Sequence, residues 1–293
     1  MGVMKDKSHG VAGHDRAGRL WVLTSLTMTA FAANSILCRL ALKSTAIDPA
    51  SFTLIRLVAG AATLWLIVRV RSGRSARAGR WSSAFSLFAY AAAFSFAYVS
   101  LSAGTGALIL FGAVQATMIL YGLFRGERLT PLQTLGLALA LSGLLALLLP
   151  GATAPNWVGA MLMTAAGIAW GAYSLMGRGN TQPIETTAGN FLRASVFGVL
   201  LSSVSFGLFA WDPRGAFFAI LSGAVASGLG YAIWYTVLPA LRATQAATVQ
   251  LSVPVIAALG GVLLLGEQLS LRLVLCSVAI LGGIALVLHA RPR

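Results

Sequence analysis

The chain consists of long apolar stretches separated by short polar ones. Each stretch is close to the roughly 20 residues that a helix needs to cross the hydrocarbon core of a bilayer. They lack the ten-residue alternation of a membrane β-barrel. The predicted fold class is therefore an all-α membrane protein with ten transmembrane helices, at about 20–42, 50–69, 82–101, 104–124, 131–149, 157–177, 187–210, 216–238, 243–265 and 271–289.

Composition agrees with placement in lipid. Hydrophobic residues make up 58% of the 293 residues, charged residues 10%, and mean hydropathy is +0.84. A soluble domain has about 25% charged residues. The net charge of +14 could suggest a nucleic-acid partner, but many of the cations crowd the short loop at about 70–81. If that loop is cytoplasmic, the spans obey the positive-inside rule, both termini are cytoplasmic, and no nucleic-acid partner is expected. Five cations then fall outside: Arg39, Lys43, Arg56, Arg214 and Arg272.

The sequence repeats itself after about half its length. Gly-Glu-Arg-Leu-Thr at 126–130 recurs as Gly-Glu-Gln-Leu-Ser at 266–270, and the stretch ending at Arg39 matches the one ending at Arg178. Internal repeats indicate a duplicated architecture. Because each half has five spans, an odd number, the second half must enter the membrane from the opposite side. This predicts two inverted five-helix repeats with a substrate site between them, the arrangement of many secondary transporters.

The repeat also predicts the domain boundaries. Ala30-Phe31-Ala32 resembles a signal-peptidase site, but the apolar stretch continues past it and has a counterpart in the second half, so the first span is expected to be retained. The predicted units are a cytoplasmic tail (1–19), a first repeat (20–149), an outer loop (150–156), a second repeat (157–289) and a cytoplasmic end (290–293).

These features resemble a known family. Ten spans in two halves, the paired Gly-Glu-x-Leu segments and the aromatic-to-Arg stretches ending at Arg39 and Arg178 are similar to the EamA family of the drug/metabolite transporter superfamily. Within it, the chain resembles YddG-type exporters of aromatic and other amino acids. The resemblance implies an inner-membrane location and a central cavity lined mainly by spans one, three, four, six, eight and nine.

Aromatic and amide side chains at helical spacing are the candidate cavity lining. Aromatic rings suit a partly aromatic substrate and can hold an ammonium group. The alternatives are packing or lipid contact for the rings, and for Gln115 a bridge between helices. Pro254 is a candidate hinge or a static kink. The predicted substrate-binding residues are Asn34, Tyr98, Gln115, Trp170, Tyr173, Tyr231, Trp234 and Gln250.

No carboxylate or imidazole lies at mid-membrane in the predicted spans. All seven acidic residues and the three histidines lie in tails, loops or span ends, whereas ion coupling usually relies on such groups in mid-membrane. Arg39, Arg56 and Arg193 lie near span ends, where snorkelling or anchoring is expected. A substrate carboxylate would then be bound by amides or Tyr hydroxyls without a central Arg. Glu127 and Glu267 are predicted to pair with Arg or cap the next helix, with gating as the alternative.

The predicted function is an inner-membrane exporter of aromatic and other neutral amino acids that works by facilitated alternating access. The alternatives are a carrier of nucleotide sugars, efflux of aromatic cations, or an intramembrane enzyme, which would need a reactive cluster within the spans. No enzymatic activity, metal or cofactor is predicted. Cys38 and Cys276 are expected to be small core residues. The expected partners are a small-molecule substrate and the bilayer, and a monomer is the expected form.

Overall fold

The computed structural model describes residues 8–72, 78–126, 128–149, 154–241, 246 and 249–289. The described residues contain helices and connecting turns but no β-strand, as the predicted all-α fold requires. The eighth long helix consists of three consecutive segments, Pro213–Leu221, Ser222–Leu229 and Gly230–Val237, which together are called α8. The others are α1 Ser8–Ser44, α2 Pro49–Ser72, α3 Trp81–Tyr98, α4 Ala103–Phe124, α5 Pro131–Leu148, α6 Trp157–Met176, α7 Pro183–Val204, α9 Ser252–Leu265 and α10 Leu271–His289.

Seven of the described helices are long and apolar enough to cross a membrane. Each of the ten predicted spans overlaps one of the helices α1 to α10. The described part of α9 is apolar but shorter, and polar side chains lower the hydropathy of α3 and α7. The chain is therefore a multi-pass membrane protein, while the count of ten spans stays a prediction.

The helix ends follow local sequence signals. Ser102 and Asn156 accept hydrogen bonds from backbone N–H groups at the starts of α4 and α6. Thr130 and Gln133 form a capping box at the start of α5. Outside the spans, Asp212 caps α8, and hydrogen bonds from backbone N–H groups, that of Gly215 first, lower the pKa of its carboxyl. These caps satisfy backbone groups that the helix itself leaves unpaired.

The repeated glycine ends a helix in both copies. Gly126 follows α4 with φ of +89°, and Gly266 follows α9 with φ of +62°. Both values lie in the left-handed region, where glycine carries no Cβ penalty. In both copies of the repeated segment, the glycine therefore lets the chain turn at the end of a helix. Glu127, for which a structural role was predicted, lies outside the described residues.

Helices that hold the same place in the two sequence halves pack against each other. In the α2–α7 pair, Ala50 lies beside Ser202 and Gly60 lies beside Phe191. The contacts thus run in opposite chain order, so the pair is antiparallel. The α5–α10 pair is antiparallel as well, because Gln133 bonds to the Val287 carbonyl whereas Arg272 bonds to the Ala146 carbonyl.

Several of the other contacts between the halves come in matching pairs. In the repeat, α1 corresponds to α6, α3 to α8 and α4 to α9. Helix α3 packs on α6, and its counterpart α8 packs on α1; likewise α4 packs on α6, and its counterpart α9 packs on α1. Helix α3 also packs on α7 as α8 packs on α2. Exchanging each helix for its counterpart in the other half leaves this set of contacts unchanged. The packing therefore has the two-fold character that a duplicated chain can adopt.

Small residues allow the close contacts between helices. A Cβ on Gly228 would come within 2.9 Å of Thr63, and one on Gly223 would meet the Arg56 carbonyl oxygen. These glycines therefore let the helices pack closely. Cys38 and Cys276 are both free thiols buried in the core, as expected. Five aromatic residues are exposed on the outside of the bundle: Trp65, Trp81, Tyr121, Trp157 and Trp211.

Two adjacent glycines of α10 offer a test of the α5–α10 contact. A Cβ on Gly283 would lie 2.5 Å from the Gly136 carbonyl oxygen, whereas one on Gly282 would meet nothing within 4 Å. We expect Gly283→Ala to destabilise the protein by about 1–3 kcal/mol through overpacking. Gly282→Ala should be neutral or stabilising by up to about 1 kcal/mol, because alanine favours the helix. Unfolding of the purified variants in detergent measures both, and equal stability of the two would contradict the close contact.

Candidate functional site

A cavity of about 910 Å³ lies inside the bundle. Its walls come from α1, α3, α4, α6, α7 and α8, with Ala246 and Gln250 from the segment before α9. One end of the cavity reaches the exposed residues Arg80 and Arg178. This end of the bundle, where α2 and α6 end and α3 and α7 begin, is called the basic end. The cavity is open at this end. The six spans that were predicted to line the cavity all contribute to it, and α7 contributes as well.

Most of the predicted site residues line this cavity. Tyr98 does not, because it is fully buried and its hydroxyl donates to the Ala103 carbonyl at the start of α4. Its predicted place in the lining was wrong, since the chain turns just after Tyr98 and the side chain packs under that turn. The seven predicted residues that line the cavity are Asn34, Gln115, Trp170, Tyr173, Tyr231, Trp234 and Gln250.

Stacked aromatic rings surround Trp170 in the cavity wall. The Trp170 ring centroid lies 5.4 Å from that of Tyr231, with planes 18° apart, and 5.3 Å from that of Tyr173. The Tyr90 ring lies 4.9 Å away on α3. Residues on three different helices therefore build one aromatic cluster, named here the Trp170 cluster, of Tyr90, Trp170, Tyr173 and Tyr231. Such rings present flat apolar faces with polar hydroxyl edges to a ligand.

A buried polar network lies on one side of the cluster. Asn34 donates to the Tyr90 hydroxyl over 3.2 Å and accepts a bond of 2.6 Å from the Ser222 hydroxyl. Ser222 begins the π-helical segment of α8, and π-helical turns are frequent at functional sites. The network holds α1, α3 and α8 together where the cavity ends. Asn34 was predicted as a site residue, whereas Ser222 was not.

A second polar network lies nearer the basic end. Asn190 donates to the Tyr173 hydroxyl over 3.4 Å, and Thr187 bridges the hydroxyls of Tyr173 and Tyr235. The Asn190 side-chain oxygen also accepts from the Arg80 backbone N–H. Sequence reasoning missed Thr187 and Asn190. Their spacing of three residues, which puts both on one face of α7, was the available signal.

Arg56 contradicts the predicted role for arginines near span ends. Only 3% of it is exposed, so it does not snorkel to the interface. Its guanidinium carbon lies 4.9 Å from the Phe94 ring centroid and 5.6 Å from that of Tyr90. Both rings line the cavity, so a central Arg stands directly behind the wall. The prediction failed because the π-helical segment of α8 packs over α2 at this point and covers Arg56.

The end of the bundle opposite the basic end is closed by an ion pair. Arg39 Nε donates to Glu267 Oε1 over 3.2 Å, and Arg39 Nη1 donates to the Tyr98 and Val99 carbonyls. The other Glu267 oxygen accepts from the Ala103 N–H, the first residue of α4. Glu267 therefore pairs with Arg and caps a helix, as predicted, although the helix is α4 and not the one that follows it.

Pro254 lies in the first turn of α9. The helix begins at Ser252, and Leu251 before it lies in a turn with φ of −66° and ψ of −16°. A proline is tolerated in a first turn because that N–H has no partner within the helix. Pro254 is buried and does not line the cavity. The hinge stays a prediction.

The cavity wall, as far as the described residues form it, contains no Asp, Glu or His. In the same part of the chain, no three metal-binding side chains come together. The chemistry available to a ligand is that of rings, amides and hydroxyls, with arginines at the mouth and behind one wall. This arrangement suits reversible binding of a small molecule that is itself partly aromatic.

The EamA-like transporter family model matches the chain twice, at residues 17–149 and 157–289. The chain belongs to the EamA-like transporter family. It is therefore a membrane transporter, and each half carries one copy of the family unit. The two matched ranges agree with the duplication inferred from the repeated Gly-Glu-x-Leu segment.

Two relatives and one solved structure are similar to the chain over most of its length. The chain is 57% identical to an uncharacterized protein of Pseudomonas aeruginosa over 93% of this chain and 96% of the relative. It is 26% identical to an uncharacterized transporter of Archaeoglobus fulgidus over 66% of this chain and 70% of the relative. A crystal structure with 20% identity covers 89% of this chain and 95% of its own, with a TM-score of 0.62, and shares its fold.

The Arg39–Glu267 pair can be tested by a double-mutant cycle. The two side chains are 14% and 9% exposed, so removing one partner leaves the other poorly solvated. We expect Glu267→Gln to cost about 1–3 kcal/mol of stability. The double variant with Arg39→Gln should cost less than the two single costs added together, because the singles remove the same contact.

The measurement is unfolding of the purified variants in detergent. Glu185→Gln, which removes a carboxylate from the first turn of α7 at the basic end, is the control and should be near neutral. Strictly additive costs would contradict a direct Arg39–Glu267 interaction.

Proposed function

We propose that the protein is an alternating-access transporter built from two inverted five-helix repeats. The two family matches support the repeat. The antiparallel packing of α2 on α7 and of α5 on α10 supports the inversion, because equivalent helices then run in opposite directions. In such transporters, exchanging the conformations of the two halves moves the opening from one face to the other.

We further propose that the basic end faces the cytoplasm and that the protein resides in the inner membrane. Arg69, Arg71, Arg80 and Arg178 lie at this end, and the positive-inside rule assigns such loops to the cytoplasm. The cavity is open at the basic end and closed at the Arg39–Glu267 end. With this orientation, the conformation is the loading state of an exporter.

The proposed substrates are aromatic and other neutral amino acids. The observation that carries this proposal is the Trp170 cluster, whose stacked rings adjoin the amide of Asn34 inside the cavity. Rings bind an aromatic side chain by stacking and an ammonium group by cation–π attraction. A volume of about 910 Å³ lies within the range typical of small-molecule sites.

The alternatives make different demands on the wall. A nucleotide sugar carries a diphosphate, and we expect several cations within its site, whereas the arginines that line this cavity are Arg80 and Arg178 at the mouth. An aromatic cation would use the same rings without needing a group for a carboxylate. An intramembrane enzyme would need a nucleophile with its base or a metal cluster, for which the described wall offers no acidic or imidazole group.

Transport is proposed to be facilitated, without a coupled proton. The described wall has no carboxylate or imidazole that could carry one. We expect purified protein in liposomes to bring labelled L-phenylalanine to equal concentrations on both sides with no imposed pH gradient. Empty liposomes are the control. Uptake that occurs only with a pH gradient would contradict the proposal.

Trp170 and Trp157 provide a matched pair on α6. Trp170 lies in the cavity, whereas Trp157 is 69% exposed on the outside of the bundle. Stacking on a ring contributes about 0.5–1.5 kcal/mol beyond burial. We therefore expect Trp170→Ala to weaken phenylalanine transport by about tenfold in kcat/KM, since 1.4 kcal/mol corresponds to tenfold. Trp157→Ala should transport normally, and equal rates for the two variants would remove the Trp170 cluster from the substrate site.

A further inference from the structure

Arg56 is a buried cation that lacks an anionic partner among the described residues. It lies in the second turn of α2, where only 3% of it is exposed. Its Nη1 atom is fully buried and makes no hydrogen bond to any described residue. The guanidinium contacts the rings of Phe94 and Tyr90, and the Tyr90 side chain is also a hydrogen-bond partner of Arg56. A charge that is buried without pairing is costly, so such groups are rare and usually functional.

The described carboxylates do not neutralise Arg56. Asp48 and Asp212 accept hydrogen bonds from backbone N–H groups in the loops before α2 and α8. Glu267 is bound to Arg39 and to the start of α4. Glu185 lies in the first turn of α7, at the basic end. Ring contacts attract the guanidinium but add no negative charge.

The position of Arg56 relative to the cavity indicates what could bind it. Tyr90 and Phe94, the rings that contact the guanidinium, both line the cavity. The Tyr90 hydroxyl accepts from Asn34, a further lining residue. The Tyr90 ring also lies 4.9 Å from Trp170. A cation and an amide thus both contact Tyr90, which itself belongs to the Trp170 cluster.

We propose that Arg56 is the carboxylate subsite of the transport cavity. The substrate carboxylate binds the free Nη1 of Arg56 when the Tyr90 and Phe94 side chains move apart, and Asn34 supplies a second donor. The aromatic side chain of the substrate then lies against Trp170. Arg can bind a carboxylate through two parallel N–H donors, which gives orientation as well as affinity. This proposal rests on the proposed function, because it takes the substrate to be an aromatic amino acid.

The pseudo-equivalent residue of the second half has a different environment. Arg193 on α7 donates to the Ala78 and Gly189 carbonyls and lies 5.9 Å from the Trp81 ring centroid, near the basic end. It does not line the cavity. Arg193 therefore serves as the matched control: it is the same residue type at the same place in the repeat, with its own carbonyl partners.

The test compares two probes that differ only in the carboxylate. L-Phenylalanine and L-phenylalaninamide share the ring and the ammonium group, but the amide has no negative charge. Binding to the purified protein in detergent is measured by calorimetry for the wild type, Arg56→Gln, Arg56→Lys and Arg193→Gln. We expect the wild type and Arg193→Gln to prefer phenylalanine by about tenfold or more, as a charge-assisted contact provides.

Arg56→Gln should bind both probes with equal, weak affinity, since the amide affinity does not depend on the guanidinium. Arg56→Lys should keep part of the preference, because it retains the charge but not the planar pair of donors. Retained binding of phenylalaninamide verifies that a variant is folded. If Arg56→Gln is unfolded, Arg56→Lys with the full wild-type preference overturns the proposal.

The outcomes separate this proposal from the proposed function. If the wild type binds both probes equally, or Arg56→Gln keeps the preference for phenylalanine, Arg56 is only a packing cation and the carboxylate subsite is refuted, while aromatic substrate binding stands. If the wild type binds neither probe, the proposed substrate class is wrong and the subsite falls with it. The carboxylate subsite is supported if Arg56→Gln loses the preference for phenylalanine while the wild type and Arg193→Gln keep it.

Discussion

Direct backbone contact between equivalent helices is the constraint on which the rest of the structure depends. Where α5 meets α10, Gly136 and Gly283 leave no room for even a Cβ atom. Gly60 of α2 is packed closely against the Phe191 side chain of α7. In lipid, helices gain little from burying apolar surface, so such van der Waals contact is a main source of association. These two seams join the halves on either side of the cavity, and α7 contributes to the cavity wall as well.

The cavity is asymmetric although many helix contacts between the halves are matched. At one end, Arg39 and Glu267 tie the end of α1 to the starts of α4 and α10, and a Cβ on Gly104 would come within 2.7 Å of the Ala258 side chain. At the other end, Arg178, the sequence counterpart of Arg39, is exposed at the mouth. A chain whose halves have matching contacts can reach the opposite asymmetry by exchanging the conformations of its halves. Under the proposed alternating-access mechanism, the same pairing that stabilises this state would also permit a second one.

The sequence patterns predicted which residues line the cavity better than they predicted where the buried cation lies. Periodicity placed Trp170, Tyr173 and Tyr231 on helical faces, and residue type indicated that the faces should meet a ligand rather than lipid. Tyr98 follows the same four-residue spacing from Tyr90 and Phe94 but belongs to the closed end. Periodicity predicts which side chains share one face of a helix. It does not predict how far along the helix that face borders the cavity, because this depends on packing between distant segments.

Arg56 shows why that packing could not be deduced from one sequence. Its distance from the start of α2, about two turns or roughly 10 Å, is compatible with either snorkelling or burial. Burial results from packing against Gly223, which lies 167 positions later in the chain. Because Gly223 has no side chain, α8 can pack directly against the Arg56 backbone. The guanidinium lies beside the rings of Tyr90 and Phe94.

The cation directly behind the wall also bears on what the cavity can carry. Under the proposed subsite, a ligand with one carboxylate and one ammonium group would meet Arg56 with the first and ring faces with the second. The diphosphate of a nucleotide sugar carries more than one negative charge, and Arg56 would pair with one of them, because Arg80 and Arg178 lie at the mouth. The proposed subsite and the Trp170 cluster are therefore compatible with a small zwitterion that has an aromatic side chain.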